Sequence, residues 1–490
     1  MLTPIFRGLP AIRTTNAGLC GRRLMIQLVL LAGWVLPVDA APLALSLDEA
    51  LERGLNASLT LKQAELQQEA SAAAVGISRS QFHPKLDAVG LASWAQVGSS
   101  IGFISNLPTV GDLNFDLSDN GYAVIQNSFG NIGLALRYPL VDFERGPLLA
   151  AAKALDQSSE ARVLEQRRQS RFAITNAYLK LQLADALIPI WLLSIDLTNN
   201  LLNDAEALLE GGLGARIDVF QARALLSADQ SGLSSARSSR AIAASALARL
   251  LDLPASQRLE ASDPLRAFPP WPLNLEASVV AATSNRPALD VIRQAQIAAE
   301  AKVQAARGSR MPRIGVLLGG GINGNSLNVP VFEASSSLSN VPVAGEVNLP
   351  VVRSSGSASG SFYDYGILFN LRQPLFDGGL SAQSTALAHS QAQEQRLLLK
   401  QREQVIIQAV ETFWHTNRSA GETMRASRDA EIASEEAVRD AQLRYRAGIA
   451  PITELLLVKR DLQAARTARA VAIQQWNFSR AGLELETGLR

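Results

Sequence analysis

Arg137-Tyr138-Pro139-Leu140-Val141-Asp142 and Arg372-Gln373-Pro374-Leu375-Phe376-Asp377 are two versions of one phrase, nearly half a chain length apart in a chain of 490. Each closes an alternating apolar stretch and precedes a long segment poor in helix breakers, so each reads as a strand running out into a helix. Working outward, Leu47-Asp48-Glu49-Ala50-Leu51 is loosely repeated by Leu275-Glu276-Ala277-Ser278-Val279, and, at the same offset, His83-Pro84-Lys85-Leu86 by Met311-Pro312-Arg313-Ile314. Further on, Gly212 meets Gly448 and Asp218 meets Glu454, both pairs sharing a single, slightly longer offset. Four matches in one order predict an internal duplication. Residues 41–265 form a first structural repeat (helix, β-hairpin, long helix, helix) and 266–490 a second.

No proline lies between Pro374 and Pro451, and Gly421 is the only glycine from Leu380 to Ala447. Proline costs a helix interior about 3 kcal/mol and glycine about 1, so this stretch predicts one helix on the order of 100 Å long. The first half matches it from Pro147 to Leu209, interrupted by Pro189, where a kink or local unwinding is expected. Shorter helices are expected over Arg216 to Leu251 and Ile452 to Glu486, and before the hairpins over Leu47 to Ser80 and Leu275 to Arg310. Leu455, Val458, Leu462, Ala465 and Ala472 form a narrow apolar seam with Lys459, Arg460, Arg466 and Arg469 between them, the pattern of a coiled coil.

From Asp364 to Arg372, Tyr365, Ile367, Phe369 and Leu371 share one face; Asp364, Gly366, Asn370 and Arg372 share the other, with Leu368 the exception. In the first half Ile132, Leu134, Leu136 and Tyr138 alternate with Asn131, Gly133, Ala135 and Arg137. A half-buried soluble sheet has this pattern too. A secretory N-terminus and strands of about ten residues favour a bilayer, with Ile132, Leu134, Leu136, Tyr365, Ile367 and Phe369 facing lipid. The partner strands, Leu86 to Gln96 and Ile314 to Gly321, leave their faces open, and the Gly-, Ser- and Asn-rich segments 98–121 and 321–360 read as loops.

That N-terminus has Arg7, Arg13, Arg22 and Arg23 ahead of an apolar run from Leu24 to Leu36, then Val38-Asp39-Ala40, so residues 1–40 read as a cleaved signal peptide. The only cysteine, Cys20, leaves with it, which excludes disulfides and cysteine metal sites. The full chain has a net charge of +1, so no basic surface argues for nucleic acid. His83, His389 and His415 are scattered and no phosphate-cradling loop is present, so no catalytic residue, metal or cofactor is expected.

Four strands per chain leave two open edges, which a bilayer does not tolerate. Two copies would give eight strands with a side-chain-filled interior; three give twelve, wide enough for a pore, so a homotrimer is expected.

Leu45-Ser46-Leu47-Asp48-Glu49-Ala50-Leu51, Pro84-x-Leu86, Pro139-Leu140-Val141-Asp142, Pro374-Leu375-Phe376-Asp377-Gly378-Gly379 and Tyr445-Arg446-Ala447-Gly448, in this order, resemble the outer membrane efflux proteins, the TolC-like family. The resemblance implies a mainly α fold with β: a long coiled-coil helical barrel in the periplasm continuing a trimeric twelve-stranded β-barrel in the Gram-negative outer membrane. It further implies a passive exit duct of a tripartite efflux or type I secretion system, working with a periplasmic adaptor protein and an inner-membrane transporter. By family position the helix-turn tips are gate and adaptor contact. Gly212, Leu213, Gly448 and Ile449 are the adaptor-contact candidates, and Asp218, Tyr445, Glu454 and Leu457 the gate candidates. The glycines also suit plain helix termination, and the two acids suit helix starts. Leu457 departs from relatives that carry a second acid there, which replaces an acid ring with an apolar constriction. The alternative is a coiled-coil structural or adhesin-like envelope protein without transport activity, which predicts no internal duplication.

Overall fold

The computed structural model describes residues 43–106, 116–254, 257–341 and 345–489. The expected signal peptide, with Cys20, lies outside them. In chain order the elements are β1 (Leu43–Leu45), α1 (Leu47–Ala57), α2 (Leu59–Ser80), β2 (Lys85–Asn106), β3 (Asp116–Val141), α3 (Arg145–Glu210), α4 (Arg216–Leu250) and β4 (Leu259–Ala261). There follow α5 (Leu275–Asn285), α6 (Pro287–Gly308), β5 (Arg313–Val341), β6 (Gly345–Asn348), β7 (Val352–Arg372), α7 (Leu380–Arg446) and α8 (Ile452–Thr487). The starts of α1, α2 and β2, at Leu47, Leu59 and Lys85, precede those of α5, α6 and β5, at Leu275, Pro287 and Arg313, by one constant offset.

The helices expected ahead of each hairpin are each broken once, at equivalent places. Ser58 caps α2 by accepting from the Leu61 N–H at 3.3 Å. Arg286 has ψ 113° because the ring of Pro287 disfavours a helical residue before it. Conversely, α3 runs through Pro189 without the expected unwinding. It is packed by neighbours along its length, which holds the helix where one hydrogen bond is lost.

α7 spans 67 residues, about 100 Å at the usual rise. Small residues let the helices approach closely: Gly232 lies under the Trp191 ring, Gly421 under Trp476 and Gly482 under Phe413. Phe172, Phe413 and Phe478 meet ring to ring and tie α3 to α7 and α8.

A set of polar contacts ties the segment between the repeats to the long helices, and one buried ion cluster joins the two halves. β1 and β4 pair in parallel, a small sheet too short to be announced by any pattern. The Tyr178 hydroxyl donates to the Asp263 carboxylate at 2.8 Å, which also accepts from the Leu47 N–H at 2.8 Å. Burial, then this carboxylate, pushes the Tyr178 phenol well above its usual range. From the other side Asn477 accepts from the Phe268 N–H and donates to the Arg266 carbonyl, so the inter-repeat segment is clamped between α3 and α8. Beneath it, buried Arg286 bridges Glu165 at 3.0 Å and Glu486 at 3.4 Å.

Candidate functional site: the sheet faces and the helix tips

The long strands are hydrogen-bonded in the order β2-β3-β5-β7, all antiparallel, and short β6 adds to the end of β5. They run well past the segments read from alternation. Much of 98–121 and 321–360, expected as loop, is strand: β2 reaches Asn106, β5 reaches Val341 and β7 begins at Val352.

Register decides which residues share a face. Leu86, Leu136, Leu318 and Ile367 form one row across the four strands; Ala88, Leu134, Gly320 and Tyr365 form the next on that face, and Gly90, Ile132, Ile322 and Tyr363 the one above. Val316 sits opposite Phe369 and Tyr138 on the same face. All six lipid-facing candidates therefore lie on one surface, and the faces left open by sequence are assigned with them. Above this apolar band, past Trp94, side chains of Gln96, Gln126 and Asn328 hydrogen-bond across three strands at 3.0 Å each. The apolar rows from Leu371 to Tyr363 cover about 26 Å along the strand, about 20 Å of height at the usual barrel tilt and so most of an outer-membrane lipid band. The opposite face carries Asn131 bonded to Asn323 at 2.5 Å, and Gly133 beside Gly321, where an added Cβ would lie 2.6 Å from the neighbouring strand's carbonyl oxygens.

The aspartates of the two repeated phrases turn the chain from strand to helix. Asp142 accepts from the Glu144 N–H at 2.9 Å. Asp377 accepts from the N–H of Gly379 at 3.1 Å and of Ser381 at 2.9 Å, and from the Ser381 hydroxyl. These bonds, the Ser381 hydroxyl foremost, hold the Asp377 carboxyl below its usual range.

At the far ends of the long helices both tips close in the same way. The Leu213 N–H donates to the Leu208 carbonyl and Gly212 to Leu209; Ile449 donates to Arg444 and Gly448 to Tyr445. With φ of 73° at Gly212 and 71° at Gly448, these are Schellman terminations that require the left-handed residue. The residue after each glycine, which usually packs back on its helix, instead points out: Leu213 is 84% and Ile449 72% exposed. Ile217, Phe220 and Leu443 are exposed beside them. Sequence reading passed over these three, although Leu213, Ile217 and Phe220 show helical three-to-four spacing.

The gate candidates occupy different environments. Tyr445 is buried among Leu201, Ala205, Val219, Ala441, Ile452 and Leu455, bracing α3, α4, α7 and α8 of its own chain. Its hydroxyl has no hydrogen-bond partner, and burial, with the carboxylates of Asp218 and Asp204 nearby, pushes the phenol up to about 12. Asp218 stands half-buried in the first turn of α4. Glu454, in the first turn of α8, pairs with Arg444 at 2.6 Å, and Leu457 is exposed on the same helix. Arg446 reaches Asp204 at 2.8 Å, linking α7 to α3.

Lys459, which the sequence sets between the apolar seam residues of α8, is buried. Lys459 is 3% and Asp229 4% exposed, their side chains are ion-paired, and Asp229 also accepts from the Thr198 hydroxyl at 2.6 Å. Burial pulls the ammonium below its ordinary range, and only the partner carboxylate opposes this. The mutual spacing of Thr198, Asp229 and Lys459 on three helices gave no signal along one chain. No cluster able to hold a metal ion occurs among the described residues.

The family described as outer membrane efflux protein matches residues 50–252 and 279–489, one stretch in each half. The chain belongs to this family. This outer membrane efflux protein is 27% identical to Protein CyaE of Bordetella pertussis over 442 residues, 88% of this chain and 82% of that protein. Among solved structures, VceC from Vibrio cholerae superposes with a TM-score of 0.68 at 16% identity, covering 90% of this chain and 96% of that one. The open state of the MtrE outer membrane channel of Neisseria gonorrhoeae superposes with a TM-score of 0.65 at 19% identity, covering 90% of this chain and 88% of that one. This efflux protein is a channel of the outer membrane that extends into the periplasm, and not an enzyme.

Proposed function

We propose that three copies join edge to edge into a twelve-stranded barrel, continued by a barrel of their long helices, and that this duct passively conducts cargo from an inner-membrane pump to the exterior. The observation that carries the reading is the pair of open edges: among the described residues β2 and β7 are each hydrogen-bonded on one side only. In hydrocarbon such edges must be paired, and a band of exposed apolar residues lies beside them. The recurring element boundaries support a duplicated chain, residues 41–265 and 266–490, whose two hairpins each supply two staves.

A tripartite efflux or type I secretion assembly follows from the tips. Leu213 and Ile449, with Gly212 and Gly448 setting the turn, offer paired apolar points to a periplasmic adaptor. Glu454 and Leu457, repeated three times around the axis, narrow the entrance, with Asp218 and Tyr445 bracing it. Family membership favours this duct over a structural stalk. Native mass measurement in mild detergent tests the assembly: three chains are expected, and a stable monomer contradicts it. In planar bilayers Leu457→Ala is expected to raise conductance, while an unmodified channel already open and unchanged by the substitution removes Leu457 from the gate.

A further inference from the structure

Between the strand–helix junctions and the Gln96–Gln126–Asn328 ladder, the sheet has six charged residues: Lys85, Asp87, Arg137, Arg313, Asp364 and Arg372. Register puts all six on the face opposite the apolar band: Lys85 pairs with Arg137, Asp87 with Ala135, Arg313 with Arg372, and Asp364 with Gly321. The charge is not spread evenly along that face. All four cations sit at the junction end, whereas Asp364 lies well up β7 from Arg372, about 26 Å away at the usual strand rise.

At this level the cations outnumber the acids. Arg137 is answered by Asp87 at 3.6 Å, and Arg313 by Glu144 and more distantly by Asp142. Arg310 and Asp377 sense each other across the second junction. Lys85 and Arg372 have no carboxylate within salt-bridge distance among the described residues. Arg145 adds a further cation whose guanidinium donates to the Pro139 and Leu140 carbonyls. Against Lys85, Arg372 and Arg145 there is one further acid, Asp142, shared with Arg313, leaving a net excess of two positive charges per chain among these residues.

We infer that this junction level is a charge filter of the lumen that favours anions, so that anionic cargo passes more readily than cationic cargo of equal size. The inference rests on the three-chain duct, which repeats the excess three times around one aqueous level. Low-dielectric walls focus such a field, and it reaches about 10 Å into the lumen at 0.1 M salt and only about 3 Å at 1 M.

The test is the reversal potential of the full chain in planar bilayers under a potassium chloride gradient. Lys85→Glu with Arg372→Glu is expected to lower the chloride-to-potassium permeability ratio at least about twofold near 0.1 M, with a smaller shift near 1 M where screening is stronger. Lys85→Gln with Arg372→Gln, which adds no new charge and so perturbs folding less, is expected to move the ratio in the same direction by a smaller amount. Conducting channels whose ratio is unchanged in either pair overturn the filter while leaving the duct intact. Failure of both the unmodified chain and Leu457→Ala, which widens the proposed constriction, to conduct at all refutes the duct reading, and the filter with it.

Discussion

In the sheet, Ile132, Tyr365 and Phe369 stand between 68% and 93% exposed, whereas in the helical body Leu201, Val219 and Leu455 are no more than 5% exposed. One chain thus displays apolar rows across a whole sheet face, while its long helices bury an apolar seam between them. In the proposed duct both follow a single rule, apolar atoms away from water, and differ in what lies outside: hydrocarbon around the sheet, water around the helices. The two regions meet just past Pro139 and Pro374, where Asp142 and Asp377 turn strand into helix.

The largest expected effect breaks the helical side of this comparison. The buried Asp229 carboxylate has one counter-charge, Lys459, and one further donor, Thr198, so Lys459→Met should cost about 3–5 kcal/mol in denaturant unfolding followed by helical circular dichroism. Lys459→Met with Asp229→Leu should recover most of it; a double variant as weak as the single one contradicts the pairing.

The sheet side is sharpened by two neighbours on β7 of nearly equal exposure, Ile367 at 64% and Leu368 at 58%. Ile367→Arg puts a cation into lipid near mid-band and should cost about 2–4 kcal/mol, lowering the yield of assembled outer-membrane protein. Leu368→Arg faces the lumen and should assemble normally. Equal loss from both would remove the distinction between faces.

Glycines give a smaller contrast. Gly448→Ala forces a side chain into φ 71° and should destabilise by about 1–2 kcal/mol. Gly76→Ala, in α2 with open space around it, should stabilise by about 0.5–1 kcal/mol. Thermal unfolding of the two variants reads the difference in sign.

The smallest effect concerns the junction itself. Because the folded Asp377 carboxyl lies below its usual range, its contribution is present above the ordinary carboxylate pKa of about 3.9 and is lost as pH falls through the depressed value. Asp377→Asn should therefore lose some stability at neutral pH and show a shallower acid limb in melting temperature against pH; an unaltered limb would show that the junction is held by other contacts.

Much of this architecture was legible because long-range order left local marks. The absence of breakers from Leu380 to Ala447 announced α7, and the alternation around Tyr365 announced the apolar face. Strand length was not legible: the Ser- and Gly-rich run 353–361 has water expected on both sides, so no apolar alternation marks it, and only pairing with β5 reveals a strand. The break at Arg286 was available in Pro287, but its twin at Ser58 has no breaker and depends on a cap. Of the candidate site, the tip glycines could be placed from turn chemistry, while Leu213 and Ile449 were singled out by family position and their exposure runs against the usual turn. The burial of Tyr445 and Lys459 could not, since it depends on which helices pack together.

The central claim is that the sheet separates lipid from an aqueous lumen, and single cysteines along β7 test it most directly in outer-membrane vesicles. Their background is clean, since Cys20 is the only native cysteine and lies in the expected signal peptide. A water-soluble thiol reagent should label positions 364, 366 and 368 and spare 365, 367 and 369. Uniform labelling, or labelling of the odd positions alone, would contradict it.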